Sequence, residues 1–173
     1  MSRSAVANAR SAVPVGHTGS LFVVRGLAGL LVFLGLTATG GGVAMLGELR
    51  GGANLPARWL DELPLIDTFL IPAVVLIAGF GAGSLVTAYG VLRRPRWRIP
   101  RAVERRTRYH WSWTATQVLG AGMIVWIGLE LVYLPDLSWL EAVYGLTGLA
   151  LVLLPWTPAV RDHLRVRVAH TDI

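Results

Sequence analysis

Cysteine is absent from the 173 residues. Disulfides, a thiolate nucleophile and cysteine-ligated metals are therefore excluded, and with them the thiol–disulfide membrane enzymes. Lysine is absent too, since all 16 basic residues are arginine. With Ala, Gly, Val and Leu abundant, a GC-rich codon bias explains that as readily as a demand for guanidinium chemistry. Charge of any kind is scarce, at 15% of residues against 54% hydrophobic. That balance is too apolar for an ordinary soluble domain, so lipid is the expected solvent for most of the chain. The HExxH pattern of zinc proteases is missing. Only His110 stands beside an apolar run, while His17, His163 and His170 lie outside, so the two axial ligands of a membrane haem are lacking. The residues point to no cofactor and no metal centre.

What is present is a set of four apolar runs, at about 21–46, 69–92, 111–134 and 139–156. Membrane spans need roughly 17–25 residues of helix, and at ~1.5 Å per residue each run is long enough to cross about 30 Å of hydrocarbon. The first run continues past the ~7–15 residues of a signal-peptide core, which argues against cleavage. Arg25, near its start, is placed to snorkel to the interface. The fold class expected is all-α, an integral membrane four-helix up-down bundle, with residues 21–160 forming the transmembrane domain. Residues 1–20, small and polar, are expected to be a disordered cytoplasmic arm, and 161–173 a soluble basic tail. Pro155 and Pro158 should weaken the last helix before that tail.

The connections differ in charge. Residues 93–108, RRPRWRIPRAVERRTR, hold eight arginines and one acid. Arg93, Arg94, Arg96, Arg98, Arg101, Arg105, Arg106 and Arg108 suit anionic lipid headgroups, at about 1 kcal/mol per basic residue near the surface. Nucleic acid is the weaker reading, because topology already accounts for such a cluster. Fourteen of the 16 arginines fall before the first run, near its start, between the second and third, or after the fourth; only Arg50 and Arg58 fall elsewhere. By the positive-inside rule both termini and the arginine segment are cytoplasmic. The chain is then a multi-pass protein of a bacterial cytoplasmic membrane. Residues 48–68 form a long, acidic outer connection. A short interfacial helix near 57–63 with Trp59 at headgroup depth is possible there, and a loop packed on the helix ends is the plainer reading. Tyr109, Trp111, Trp113, Tyr133, Trp139 and Trp156 mark aromatic belts.

Few residues could carry chemistry. Glu130 is the only acid well inside an apolar run, one turn from its end. It is a candidate proton or cation site, or a structural carboxylate solvated at the interface or paired with Arg50 or Arg58. Asp67 and Glu141 also stand near outer ends, and three converging carboxylates could attract a divalent cation. Gln117, the one amide in the runs, suits either an interhelical hydrogen bond or substrate recognition. His110 suits an interfacial residue bonded to a headgroup. Gly79, Gly83, Ser84 and Thr87 make a small-residue face for close helix approach. Gly40-Gly41-Gly42 fits close packing or an unwound segment exposing carbonyls to a ligand. No inverted repeat relates the two halves, which argues against the usual transporter design.

At Asp67-Thr-Phe-Leu-Ile-Pro72 and Trp126-Ile-Gly-Leu-Glu130 the chain resembles a loose group of small bacterial four-helix membrane proteins. The pairs Leu55-Pro56 and Leu63-Pro64 and the basic stretch from Pro158 to Arg161 add to that resemblance. It implies a fold and no mechanism. Topology alone gives a more distant similarity to the DoxX-like four-helix proteins. Three functions fit these residues. The first is a non-enzymatic lipid-binding protein or accessory subunit, with membrane lipids and a partner membrane protein or a second copy as partners. The second is an oligomeric transporter or channel using Glu130 and Gln117. The third is an enzyme acting on lipid through outer-face carboxylates.

Overall fold

The computed structural model describes residues 17–166 apart from 54, 58, 61–66, 96, 98–100 and 134–137. Its described elements are helices: α1 (His17–Gly47), α2 (Leu70–Arg93), α3 (Arg101–Thr107), α4 (Trp111–Tyr133), α5 (Trp139–Leu153) and α6 (Pro158–Leu164). A 3₁₀ turn, Leu154–Trp156, joins α5 to α6. Four stretches, Gly19–Gly47, Leu70–Arg93, Trp111–Tyr133 and Trp139–Trp156, are long and apolar enough to cross a membrane. The chain therefore has the character of a multi-pass membrane protein. An uncharged run has no alternative to helix in hydrocarbon, where every peptide group must be satisfied within its own segment.

α1 is 31 residues long, about 46 Å at ~1.5 Å per residue. It starts at His17, so part of the expected arm belongs to the helix; residues before 17 lie outside the described ones. Val24, Leu27, Ala28, Leu31, Leu34 and Ala38 recur at spacings of three and four and are buried. Phe22, Leu36 and Val43 lie between them and are exposed, as outward positions of a lipid-embedded helix should be. α1 runs unbroken through Gly40-Gly41-Gly42, so the unwound segment does not form.

In α2 the segment Val75–Ala82 is wound as a π-helix. Ala73, Phe80, Ser84, Thr87 and Val91 still share one buried face across it. The helix stops at Arg94, whose backbone is left-handed (φ 48°) with its N–H bonded to Gly90 O at 3.0 Å, and Pro95 follows. A left-handed residue followed by proline is a strong helix stop. α3 forms inside the arginine segment, which is thus part helix rather than loop. α5 begins in a capping box: Ser138 Oγ accepts from Leu140 N–H, and Glu141 Oε2 accepts from Ser138 N–H at 2.8 Å. Both orphan donors of the first turn are satisfied reciprocally.

Helix α1 packs on α2, α5 and α6, and α4 packs on α2 and α5. Glycines set the distances. A methyl added at Gly120 of α4 would stand 2.8 Å from Gly148 O of α5, and one at Gly42 of α1 would stand 2.8 Å from Ala73 O of α2. A methyl at Gly81 would strike Thr39 Oγ1. Close backbone approach is how helices gain contact energy where water is absent. The expected small face of α2 is thus displaced in part. Ser84 and Thr87 are buried, but Gly79 is exposed and Gly81 makes the close approach.

The stretch after α5 is not a free tail. Val160 and Leu164 are buried against the bundle, and His110 N–H bonds to Leu164 O at 2.8 Å while Val166 N–H bonds to Arg108 O at 3.1 Å. His163 Nε2 lies 3.0 Å from Val91 O, and Arg94 Nη1 donates to His163 O at 3.0 Å. Pro158 opens α6 where its missing N–H costs nothing. Residues 167–173 lie outside the described ones.

Gly120→Ala is expected to lower the thermal midpoint in mild detergent by several degrees, since overpacking costs about 1–3 kcal/mol. Gly40→Ala, which has nothing within 4 Å of its added methyl, should leave the midpoint unchanged or slightly raised. Equal midpoints for the two variants, read by circular dichroism melts, would show that α4 and α5 are not pressed together at Gly120.

Candidate functional site

Chemistry-bearing residues gather at the two ends of the bundle. At one end a cavity of about 350 Å³ opens between α1, α2, α4, α5 and the 48–68 connection. Ala38, Leu76, Met123 and Ile127 give it apolar walls, and Trp59, Trp126 and Tyr144 give it aromatic ones. Glu130 and Glu141 line it together. Glu130 projects from the last turn of α4, where Trp126, one turn earlier, donates its Nε1–H to Glu130 Oε1 at 2.7 Å. The spacing of four residues puts the two side chains on one helix face. Trp126 is itself held by an edge contact to Phe80, ring centroids 6.1 Å apart. Glu141 stands at the start of α5, its Oε2 taking both Ser138 hydrogen bonds at 2.8 Å.

The sequence candidates fare differently. Glu130 and Glu141 meet at one cavity, whereas Asp67 is exposed ahead of α2 and is not among the cavity's lining residues. Among the described residues no three His, Asp or Glu side chains gather as metal ligands, so the three-carboxylate site does not form. Glu130 makes no ion pair with Arg50; Arg58 lies outside the described residues. Gln117 donates Nε2–H to Val152 O at 3.0 Å, the interhelical bond between α4 and α5. It does not line the cavity, and it stands roughly 20 Å from Glu130 along α4 at ~1.5 Å per residue.

The other end carries the arginines. Arg93, Arg94, Arg105, Arg106 and Arg108 are exposed there. Arg96 and Arg98 lie outside the described residues, and Arg101 is described only as the first residue of α3. His110 corrects the sequence expectation, being buried rather than open to headgroups. Its Nε2 lies 3.1 Å from Pro95 O and its Nδ1 2.9 Å from Ser112 Oγ. A carbonyl can only accept, so the ring proton sits on Nε2 and Nδ1 is left as an acceptor. Glu104 Oε1, 3.8 Å from Nε2, also accepts from Trp111 N–H at 3.2 Å. Around this node the belt aromatics stack on one another. Tyr89, Trp97 and Trp111 form one ladder, with ring centroids 6.5 and 5.1 Å apart. Tyr109 and Trp113 stack at 4.9 Å, and Trp156 meets Trp113 edge-on. A shallow notch of about 220 Å³ beside them is lined by Tyr109, Pro158, Arg161, Asp162 and Arg165, with Arg161 Nε donating to Tyr109 Oη at 3.0 Å.

Sequence reasoning missed Tyr144, Thr37 and Met123 as cavity residues, and Trp59 and Trp126 as its aromatic walls. Only Trp126 carried a readable signal, its four-residue spacing from Glu130. What the cavity offers is apolar wall, aromatic ring and carboxylate. Its described lining contains no histidine and no arginine.

Replacing His110 by Leu should lower the thermal midpoint by several degrees, because Pro95 O and the Ser112 hydroxyl lose a buried partner at about 1–3 kcal/mol. Asp67→Asn, at an exposed position, should leave it within a degree. A His110→Leu melt that overlays the parent would mean that the imidazole does not hold the arginine segment to α4.

Compared with protein-family models, with curated proteins and with solved structures, the chain matches none.

Proposed function

We propose that this chain is a non-enzymatic, lipid-binding multi-pass protein of a bacterial cytoplasmic membrane. In that reading it is an up-down bundle, with the arginine segment and the residues flanking α1 and α5 on the cytoplasmic side. The arginine distribution supports the orientation, because short arginine-rich connections are retained inside. The order of glycine contacts supports the up-down path. Gly42, late in α1, meets Ala73, early in α2, whereas Gly35 meets Gly81, further along α2. The resemblance to small bacterial four-helix proteins supports the setting.

The observation that carries lipid binding is the cavity of about 350 Å³. It is near the lower end of the ~300–1,000 Å³ range of ligand cavities, and its walls are mostly apolar. An alkyl chain fits such walls. At the opposite end, the exposed arginines supply a second, electrostatic contact to anionic headgroups. Carboxylate chemistry on a lipid substrate is less favoured, since both acids already accept hydrogen bonds from their own chain. A permeation path through Glu130 and Gln117 is less favoured because Gln117 is engaged with Val152.

Native mass spectrometry of the protein released from membranes in mild detergent should show a retained lipid mass in roughly stoichiometric amount. Gly41→Leu should remove it. Gly41 lines the cavity, and its added methyl meets only Leu76 Cδ1, at 3.8 Å, so a leucine there fills space without forcing the backbone. Lipid retained equally by parent and Gly41→Leu would disconnect binding from the cavity, and a stoichiometric protein partner in its place would favour an accessory subunit.

A further inference from the structure

The cavity at the acid end has a polarity that its apolar walls alone do not explain. Glu130 and Glu141, from two different helices, line it together, and no arginine is among its described lining residues. Each carboxylate spends one oxygen on its own chain: Glu130 Oε1 on Trp126, Glu141 Oε2 on Ser138. Among the described residues, Trp126 is the one hydrogen-bond donor to Glu130, while the Glu141 carboxylate is bonded at its own helix start. Glu130 is part-buried and Glu141 stands at the exposed rim, and two like charges at one cavity repel each other. A cation between them turns the repulsion into two attractions.

The rest of the lining points to the same ligand. Trp59, Trp126 and Tyr144 share the cavity with the two acids, and the faces of indole and phenol rings attract ammonium groups, most strongly where water is excluded. The acids sit at the mouth side. Glu130 is three residues from the end of α4, roughly 5 Å along the axis, and Glu141 is in the first turn of α5. Ala38, Met123 and Ile127 lie deeper in the bundle core. The arrangement is charged at the interface and apolar toward the membrane centre.

We infer that the cavity is a binding site for an amphiphile with a single alkyl chain and a cationic, ammonium-type head, the head held between Glu130 and Glu141 against the aromatic walls and the chain lying along Ala38, Met123 and Ile127. This rests on the lipid-binding reading above and adds the charge of the head. A head of the same size without an ammonium group gains nothing from the two carboxylates, and a purely anionic one is repelled. The selectivity is therefore electrostatic, and the chain contributes affinity alone.

The test uses the full-length protein in a maltoside detergent with a twelve-carbon chain, which is itself the neutral competitor. Dodecyltrimethylammonium, dodecyl sulfate and a lysophosphatidylethanolamine are added in turn, and the retained masses are counted by native mass spectrometry. At equal free concentration the protein should retain one dodecyltrimethylammonium or one lysophosphatidylethanolamine at least about tenfold over the neutral and sulfate heads, the scale of a close charge pair. Both probes carry an ammonium, alone in dodecyltrimethylammonium and beside a phosphate in the zwitterionic lysophosphatidylethanolamine, and whichever is retained more tightly assigns the source, a free surfactant or a bilayer lipid. Glu130→Gln and Glu141→Gln should each cut the preference several-fold, and the double variant should abolish it. Glutamine can still accept from Trp126 and still complete the capping box with Ser138, so unchanged thermal midpoints keep loss of binding separate from loss of fold. Equal retention of every head by the parent, or a cation preference that survives in the double variant, would overturn the inference. If the neutral head is retained and Gly41→Leu displaces it while no head is preferred, the lipid-binding reading stands and the cationic head does not. If no probe is retained in a way that Gly41→Leu alters, both fail.

Discussion

Hydrocarbon offers a peptide group no partner, and the architecture of this chain follows from that constraint. Each apolar run must close its hydrogen bonds within itself, so each is a helix. The helices must then find a reason to adhere that is not the hydrophobic effect, because lipid tails are as apolar as leucine. Here the reason is proximity. Gly42 on α1, Gly81 on α2 and Gly120 on α4 lie where an added Cβ would clash, and Gly35 and Gly148 lie where one would be tight against a facing backbone carbonyl. Many weak dispersion contacts then add up along each pair. Three threonine hydroxyls turn back on their own helices, Thr87 to Gly83 O, Thr116 to Ser112 O and Thr147 to Val143 O, whereas Ser84 Oγ and Thr114 Oγ1 are buried with no hydrogen bond among the described residues.

The two ends of the bundle solve opposite problems. The arginine end is tied together, its backbone and ring nitrogens bonded across α2, α4 and α6, and its aromatics stacked in two ladders. A concentrated set of like charges needs such a scaffold, since repulsion among exposed guanidiniums favours any looser arrangement. The acid end is open. Glu130 is steadied by Trp126 and Glu141 by its cap, with no ion pair to either among the described residues, and a cavity of about 350 Å³ lies between the helices there. A tied end and an open end are thus separated along the bundle axis.

The span boundaries were legible in the sequence because charge and apolarity segregate so sharply that Arg93, Trp111, Tyr133 and Trp156 mark ends with little ambiguity. Other features were hidden for definite reasons. Gly79, Gly81 and Gly83 are nearly equivalent as letters, and only the rotation of α2 within the bundle chooses Gly81 for the close approach. The cavity draws Thr37, Trp59, Met123 and Tyr144 from four separate segments, a convergence that no local pattern encodes. His110 looked exposed because it is polar and stands at a helix entry, yet the left-handed turns at Arg94 and Arg108 fold Pro95 and Leu164 over it. The docking of α6 had a weak signal that its arginines masked: Val160 and Leu164, four apart, form a short apolar stripe.

That docking bears on the order in which the molecule is completed. Synthesis delivers α1 first, and α1 can pair with α2 as soon as the second run has entered the bilayer. The flank of α1 that lies against α6 gains that neighbour only when residues 160 and 164 emerge, at the far end of the described chain. Contacts between such distant segments are the slowest to form. The clasp of Leu164 and Val166 on the arginine segment therefore comes late in the order of synthesis, and until it is made the flank of α1 that faces α6 is open to a chaperone, a protease or a neighbouring nascent helix.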